Sequence, residues 1–125
     1  MSYLFEMLPE LNQALLDEDI KYVEDSKYSS KSVGAWLFTQ ACYCGKLEYA
    51  QKVYENEFVR SGLNMDHIFI QSVVRKQYEV VKWLLETDPF INISTCGNYI
   101  TKYCIKNSMD NFIELFQTYE KKSDL

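Results

Sequence analysis

The sequence predicts an all-α protein, a short solenoid of helix–turn–helix repeats. Three observations carry that expectation. The stretch Lys76–Glu86 places Val80, Val81, Leu84 and Leu85 at the i, i+1, i+4, i+5 spacing of a helix with one broad buried face, with Trp83 beside them. Glu79, Lys82 and Glu86 occupy the other side at i+3 and i+4 pairing distances. Second, a helix of about three turns cannot bury such a face alone, and the chain supplies neighbours. Gly45–Glu55 lies thirty-one residues earlier and Ser108–Gln117 thirty-two later. Third, turn signals separate the apolar segments, at Gly45 and at Arg75-Lys76-Gln77.

The elements follow in order within one expected domain, 1–125. Residues 1–33 are expected to hold a degenerate capping helix pair and a linker. Leu4, Phe5, Leu8, Leu11, Leu15 and Leu16 fall on one stripe, and Pro9 is expected to mark the start of the helix proper. Ala14–Val23 resembles a shortened copy of Ala41–Ala50, and seven acidic residues against one lysine give this opening segment the polar face of a terminal repeat. Residues 26–33 form a polar connection. Repeats are expected at 34–66, 67–96 and 97–119, with a frayed polar tail at 120–125. The first pairs a helix at Gly34–Tyr43 with one at Leu47–Glu57, and 58–66 is a loop whose apolar members should tuck under the next pair. The second pairs Ile68–Val74 with Glu79–Glu86. Pro89 stops its last helix, Ile91 and Ile93 alternate as in an extended segment, and Cys96-Gly97-Asn98 reads as a turn. The third runs from Tyr99 to about Tyr119. Trp83, in the middle repeat, is expected to be the energetic centre.

Composition narrows the function. A chain of 125 residues with 47% hydrophobic and 25% charged content buries a core rather than staying disordered. The net charge of −5 argues against a nucleic-acid backbone as main ligand and suits solubility or a basic partner. Met1–Asn12 holds two glutamates and no basic n-region, so it is not expected to be a signal peptide. No stretch approaches the ~18 apolar residues of a membrane span. Cys42, Cys44, Cys96 and Cys104 are therefore expected to be free thiols, and the protein to be cytoplasmic or otherwise intracellular.

A helix–turn–helix unit of about 33 residues followed by an extended loop is the ankyrin pattern, and this chain resembles it over 34–99 above all. Gly34 and Gly97 match the opening turn glycine. Ala41-Cys42, Ser72-Val73 and Cys104-Ile105 match the paired small residues that end the first helix. Glu79–Leu85 is close to the family's second helix, and Pro89-Phe90-Ile91-Asn92 to its loop. The chain departs from the pattern where Trp36–Thr39, His67–Ile70 and Tyr99–Lys102 replace Thr-Pro-Leu-His, where Thr101 takes an aliphatic position, and where only Gly45 keeps the second turn glycine. Divergent repeats of this idiom resemble those multiplied in large DNA viruses and in some amoebal or intracellular-microbe genomes, which would place the protein in a host cytoplasm.

Catalytic chemistry has little to stand on in the sequence. His67, the single histidine, has Ser72 as its nearest hydroxyl, but five residues on within one helix the two do not make a dyad. Cys42 and Cys44 sit ~200° apart around a helix, and no Cys-x-x-Cys or glycine-rich phosphate loop occurs. No metal, cofactor or enzymatic activity is expected. The ankyrin resemblance implies a protein partner gripped by loop tips and the exposed ends of first helices, the concave side. Those positions are Asp66, His67, Cys96 and Asn98 at the tips and Tyr43, Cys44, Val74, Arg75, Lys106 and Asn107 along the helices. Tyr43 and Arg75, thirty-two residues apart, are of the types that dominate interface energetics. The expected function is a non-catalytic protein-interaction module, an adaptor or scaffold, with neither nucleic acid nor membrane as partner. The alternative is a structural or assembly subunit that works by self-association as a weak homo-oligomer.

Overall fold

The structure, a computed structural model, describes the backbone of residues 2–20, 31–93 and 95–123 and the side chains of 9–20, 32–93 and 99–119. Among them are eight helices and no strand: α1 (Ser2–Asp17), α2 (Lys31–Cys44), α3 (Leu47–Tyr54), α4 (Glu57–Arg60), α5 (Met65–Val74), α6 (Tyr78–Thr87), α7 (Thr95–Lys106) and α8 (Asp110–Ser123). The chain is all-α. It divides into two compact units, Met1–Asn64 and Met65–Leu125.

One turn recurs along the chain. Glu18, Gly45, Lys76 and Ser108 all adopt the left-handed region, with φ of 54°, 76°, 60° and 55°. At each, two backbone hydrogen bonds close the end of the preceding helix. The Gly45 amide donates to Cys42 O and the Lys46 amide to Ala41 O, at 3.3 and 2.8 Å. The Lys76 and Gln77 amides donate to Val73 O and Ser72 O, at 2.9 and 3.0 Å. The amides of Ser108 and Met109, and of Glu18 and Asp19, repeat the pattern onto Ile105 and Cys104, and onto Leu15 and Ala14. This pair of bonds satisfies carbonyls that a helix end otherwise leaves open. The inner acceptor is a small buried residue each time: Ala14, Ala41, Ser72 and Cys104. A small side chain there lets the chain fold tightly back into the next helix.

In the first unit α2 is the central element, packed against α1, α3 and α4. Leu37, Phe38, Ala41 and Cys42 are fully buried on it, and Tyr49, Ala50 and Val53 on α3. Gly34 lies inside α2, buried, and a Cβ there would overlap Val59 Cγ2 of α4. It is thus a close-approach residue and not the opening turn glycine of the sequence reading. Lys31–Val33 are likewise helical, so the linker is shorter than expected. The rest of it, and the second capping helix, lie outside the described residues. Helix α4 occupies part of the expected 58–66 loop. Asn56 caps it, its Oδ1 accepting from the Val59 amide at 3.1 Å. Arg60 Nη1 donates to Tyr54 O at 2.7 Å with the guanidinium over the Tyr54 ring, which returns α4 to α3. Val59 therefore packs within its own unit, and Phe58 stays exposed. Pro9 does not start α1 but lies inside it. The ring removes one ladder hydrogen bond, and burial of Leu11, Ala14 and Leu15 on a helix packed against α2 overrides that loss.

The second unit is held by an aromatic core. Phe69 of α5 meets Phe116 of α8 at 5.7 Å between ring centroids, and Tyr78 of α6 meets Phe112 edge-on at 5.4 Å. Val80, Val81 and Leu84 are buried to within 1% of completely, whereas Trp83 is half-buried. The centre of this helix is therefore Leu84, and Trp83 stands at its margin. The first repeat interval agrees, since Leu84 falls with buried Val53 and Trp83 with exposed Lys52, whereas the second pairs Leu84 with Phe116 and Trp83 with Leu115, both buried. After α6, Ile91 and Ile93 turn inward with Asn92 exposed between them. Cys96, Gly97 and Asn98 lie in the first turns of α7 rather than in a loop turn, and 120–123 continue α8 rather than fraying. Thr101 Oγ1 and Ser72 Oγ are buried without a hydrogen-bond partner among the described residues.

Candidate functional site

Six of the ten residues implied as partner-binding occupy one structural position. Tyr43-Cys44, Val74-Arg75 and Lys106-Asn107 are the two residues before the left-handed residue of three turns. The turn fixes their backbone and leaves the outer member of each pair in solvent. Tyr43 and Val74 are half-buried, and Cys44, Arg75, Lys106 and Asn107 are exposed. Arg75 Nη1 donates to Gln71 Oε1 at 2.7 Å, which steadies the guanidinium along α5. Asn107 Nδ2 donates to Tyr103 O at 2.8 Å and so caps its own helix end. Tyr43 belongs to the first unit, and Val74, Arg75, Lys106 and Asn107 to the second.

The four tip residues divide differently. Asp66 and His67 are exposed in the first turn of α5. Asp66 Oδ1 accepts from the Asn92 amide at 3.2 Å, so this carboxylate ties the loop after α6 to the start of α5. Cys96 and Asn98 are placed by backbone alone, their side chains lying outside the described residues. Between these elements the loop lifts Phe90 into solvent at 88% exposure. Asp88 holds it there by accepting from the Phe90 amide at 2.9 Å.

Nucleophilic chemistry finds no support at the candidate groups. Ser72 is fully buried and His67 exposed on the same helix, so the pair faces different surroundings. Burial pushes the Cys42 thiol up to about 12 and the Cys104 thiol to about 11, which keeps both protonated at neutral pH. Cys42, Cys44 and Cys104 are free thiols. Among the described residues no group of three His, Cys, Asp or Glu side chains could hold a metal ion, and no helix is long and apolar enough to cross a membrane.

Two features escaped the sequence reading. Tyr49 is fully buried, and its hydroxyl donates to Asp19 O at 2.7 Å, thirty residues away, which fixes the first turn against α3. Burial, with the Asp19 and Glu18 charges behind it, pushes this phenol up to about 12. The other is a cleft of about 420 Å³ between α6 and α8, lined by Tyr78, Lys82, Glu86, Glu114, Thr118 and Tyr119 among others. Its signal was in plain view. Residues 78, 82 and 86 recur at i+4, and 111, 114 and 118 at i+3 and i+7, the spacing of two polar stripes. The cleft is lined by α6 and α8, and none of its lining residues is among the positions that the resemblance picks out. Comparison of the chain with protein-family models, with curated proteins and with solved structures gives no match.

Proposed function

We propose that the protein is a non-catalytic protein-interaction module, an ankyrin-type adaptor or scaffold that grips a protein partner through the ends of its first helices and the adjoining loop tips. One observation carries the reading. Three turns of a single backbone geometry hold three different side-chain pairs, Tyr43-Cys44, Val74-Arg75 and Lys106-Asn107, with the outer residue of each exposed. A constant scaffold under a varied surface is how a binding module separates stability from recognition. Arg75 offers a donor fork for a carboxylate or carbonyl, and Tyr43 an amphipathic ring. Lys106 adds a second cation on the same kind of position. The net charge of −5 disfavours nucleic acid as the ligand.

The test uses the partner recovered from native host extract, followed by calorimetry with Tyr43→Ala and Arg75→Ala, made singly and together. Both positions lie outside the fully buried core. Arg75→Ala should leave the melt within ~0.5 kcal/mol. The double variant should weaken binding at least tenfold, or about 1.4 kcal/mol. Unchanged binding, with a loss instead in Glu18→Ala/Asp19→Ala, would assign the interaction to the acidic N-terminal segment.

A further inference from the structure

The recurring turn makes one departure visible. The residue that follows the small buried one is itself buried in three of the four turns, at Leu15, Cys42 and Val73. The fourth is Ile105, and it is 61% exposed. On α7 it shares a stripe with exposed Tyr99, Lys102 and Lys106, at i, i+3, i+6 and i+7. An apolar residue at a position otherwise used for packing, rimmed by cations, is a surface short of a cover.

A matching surface exists on α1. Leu16 is 68% exposed, and Gln13, Asn12 and Pro9 continue its stripe, flanked by exposed Glu10 and Asp17. The charges of the two helices are separated completely. Helix α1 contains Glu6, Glu10 and Asp17 with no lysine or arginine, and Glu18 and Asp19 follow it. Helix α7 contains Lys102 and Lys106 with no aspartate or glutamate.

We propose that the α7 stripe of one copy receives the α1 stripe of a second copy. Leu16 then covers the region of Ile105 and Tyr99, and Glu10 and Asp17 face Lys102 and Lys106. Charge decides the orientation. An α7-to-α7 contact would bring lysines together, and an α1-to-α1 contact carboxylates, so only the unlike pairing gains from both apolar burial and attraction. The contact joins unlike stripes, and each copy offers one of each kind, so two copies either pair reciprocally as a two-fold dimer or leave a stripe open to which further copies add. Lys106 belongs both to this stripe and to the partner-binding positions above, and Asn98 of those positions lies on the same helix.

Sedimentation of the full chain across micromolar to millimolar concentrations provides the test. The average mass should rise with concentration to that of a dimer or beyond, and added salt should suppress the rise. Glu10→Lys/Asp17→Lys should sediment as a monomer, and so should Lys102→Glu/Lys106→Glu. Mixed in equal amounts, the two variants should recover the association of the wild type, because each carries the complement of the other. Circular dichroism verifies that these exposed substitutions leave the helices intact. Ile105→Ser, which alters no charge, should weaken association at least tenfold. A wild-type mass that stays flat overturns the proposal. So does a charge variant that associates as the wild type does, a mixture that stays monomeric, or an Ile105→Ser chain with unchanged association.

Discussion

The segments 31–64 and 65–93 are built on one plan, and their differences separate what the plan requires from what it tolerates. Each runs helix, left-handed turn, helix, and a closing piece. The turn bonds match in acceptor and in length to within a few tenths of an ångström, yet the left-handed residue is Gly45 in one and Lys76 in the other. The small buried acceptor is Ala41 in one and Ser72 in the other, where the hydroxyl finds no partner among the described residues. The closing pieces differ most. In the first segment α4 lies directly on the Gly34 backbone. In the second an extended loop is pinned by Asp66 to the Asn92 amide, with Ile91 and Ile93 turned inward. The turn is common to both, and the closing piece is local invention.

The largest effect should come from the packing that the two segments share. Leu84→Ala removes a fully buried side chain of α6 and should cost about 2–5 kcal/mol. Trp83→Ala, at the margin of the same helix, should cost clearly less in the same urea titration. The reverse order would make the tryptophan the centre after all. Next comes the feature peculiar to the first segment. Gly34→Ala in an ordinary helix interior would stabilise, because glycine is a poor helix former. Here the new methyl overlaps Val59, so a loss of about 1–3 kcal/mol is expected. A stabilised variant would show that α4 moves away freely. The smallest effect sharpens the comparison of turns. Lys76 adopts a conformation that costs a side-chain-bearing residue about 1–2 kcal/mol. Lys76→Gly should therefore raise stability by about 1 kcal/mol and Gly45→Lys lower it by a similar amount. Thermal or urea melts of the two variants read the signs directly.

Much of the helical plan was legible in the sequence, because spacing and turn signals depend on local chemistry. The apolar face at Val80, Val81, Leu84 and Leu85 places α6 to within a residue at each end. The thirty-one and thirty-two residue intervals anticipate the turns at Gly45, Lys76 and Ser108, although two of the three lack glycine. The failures were non-local. Gly34 and Gly97 suggest turns by type, and Gly34 is glycine because Val59, twenty-five residues on, lies against it. Pro9 suggests a boundary, but packing of α1 on α2 carries the helix through it. Trp83 suggests a centre by size, and burial follows the phase of the helix instead. Among the candidate binding residues, the positions before each turn were found by alignment of the repeats. That Asp66 spends its carboxylate on the Asn92 amide required the fold.

A single left-handed turn recurs at Glu18, Gly45, Lys76 and Ser108, and the residue just before it is exposed each time. Nuclear magnetic resonance of the full chain tests this most directly, through backbone couplings and intraresidue amide-to-Hα Overhauser effects that report the sign of φ. Positive φ is expected at all four residues, with the Asp19, Lys46, Gln77 and Met109 amides protected from exchange by their bonds to Ala14, Ala41, Ser72 and Cys104. Negative φ at Lys76 or Ser108, or rapid exchange of Gln77 or Met109, would contradict it.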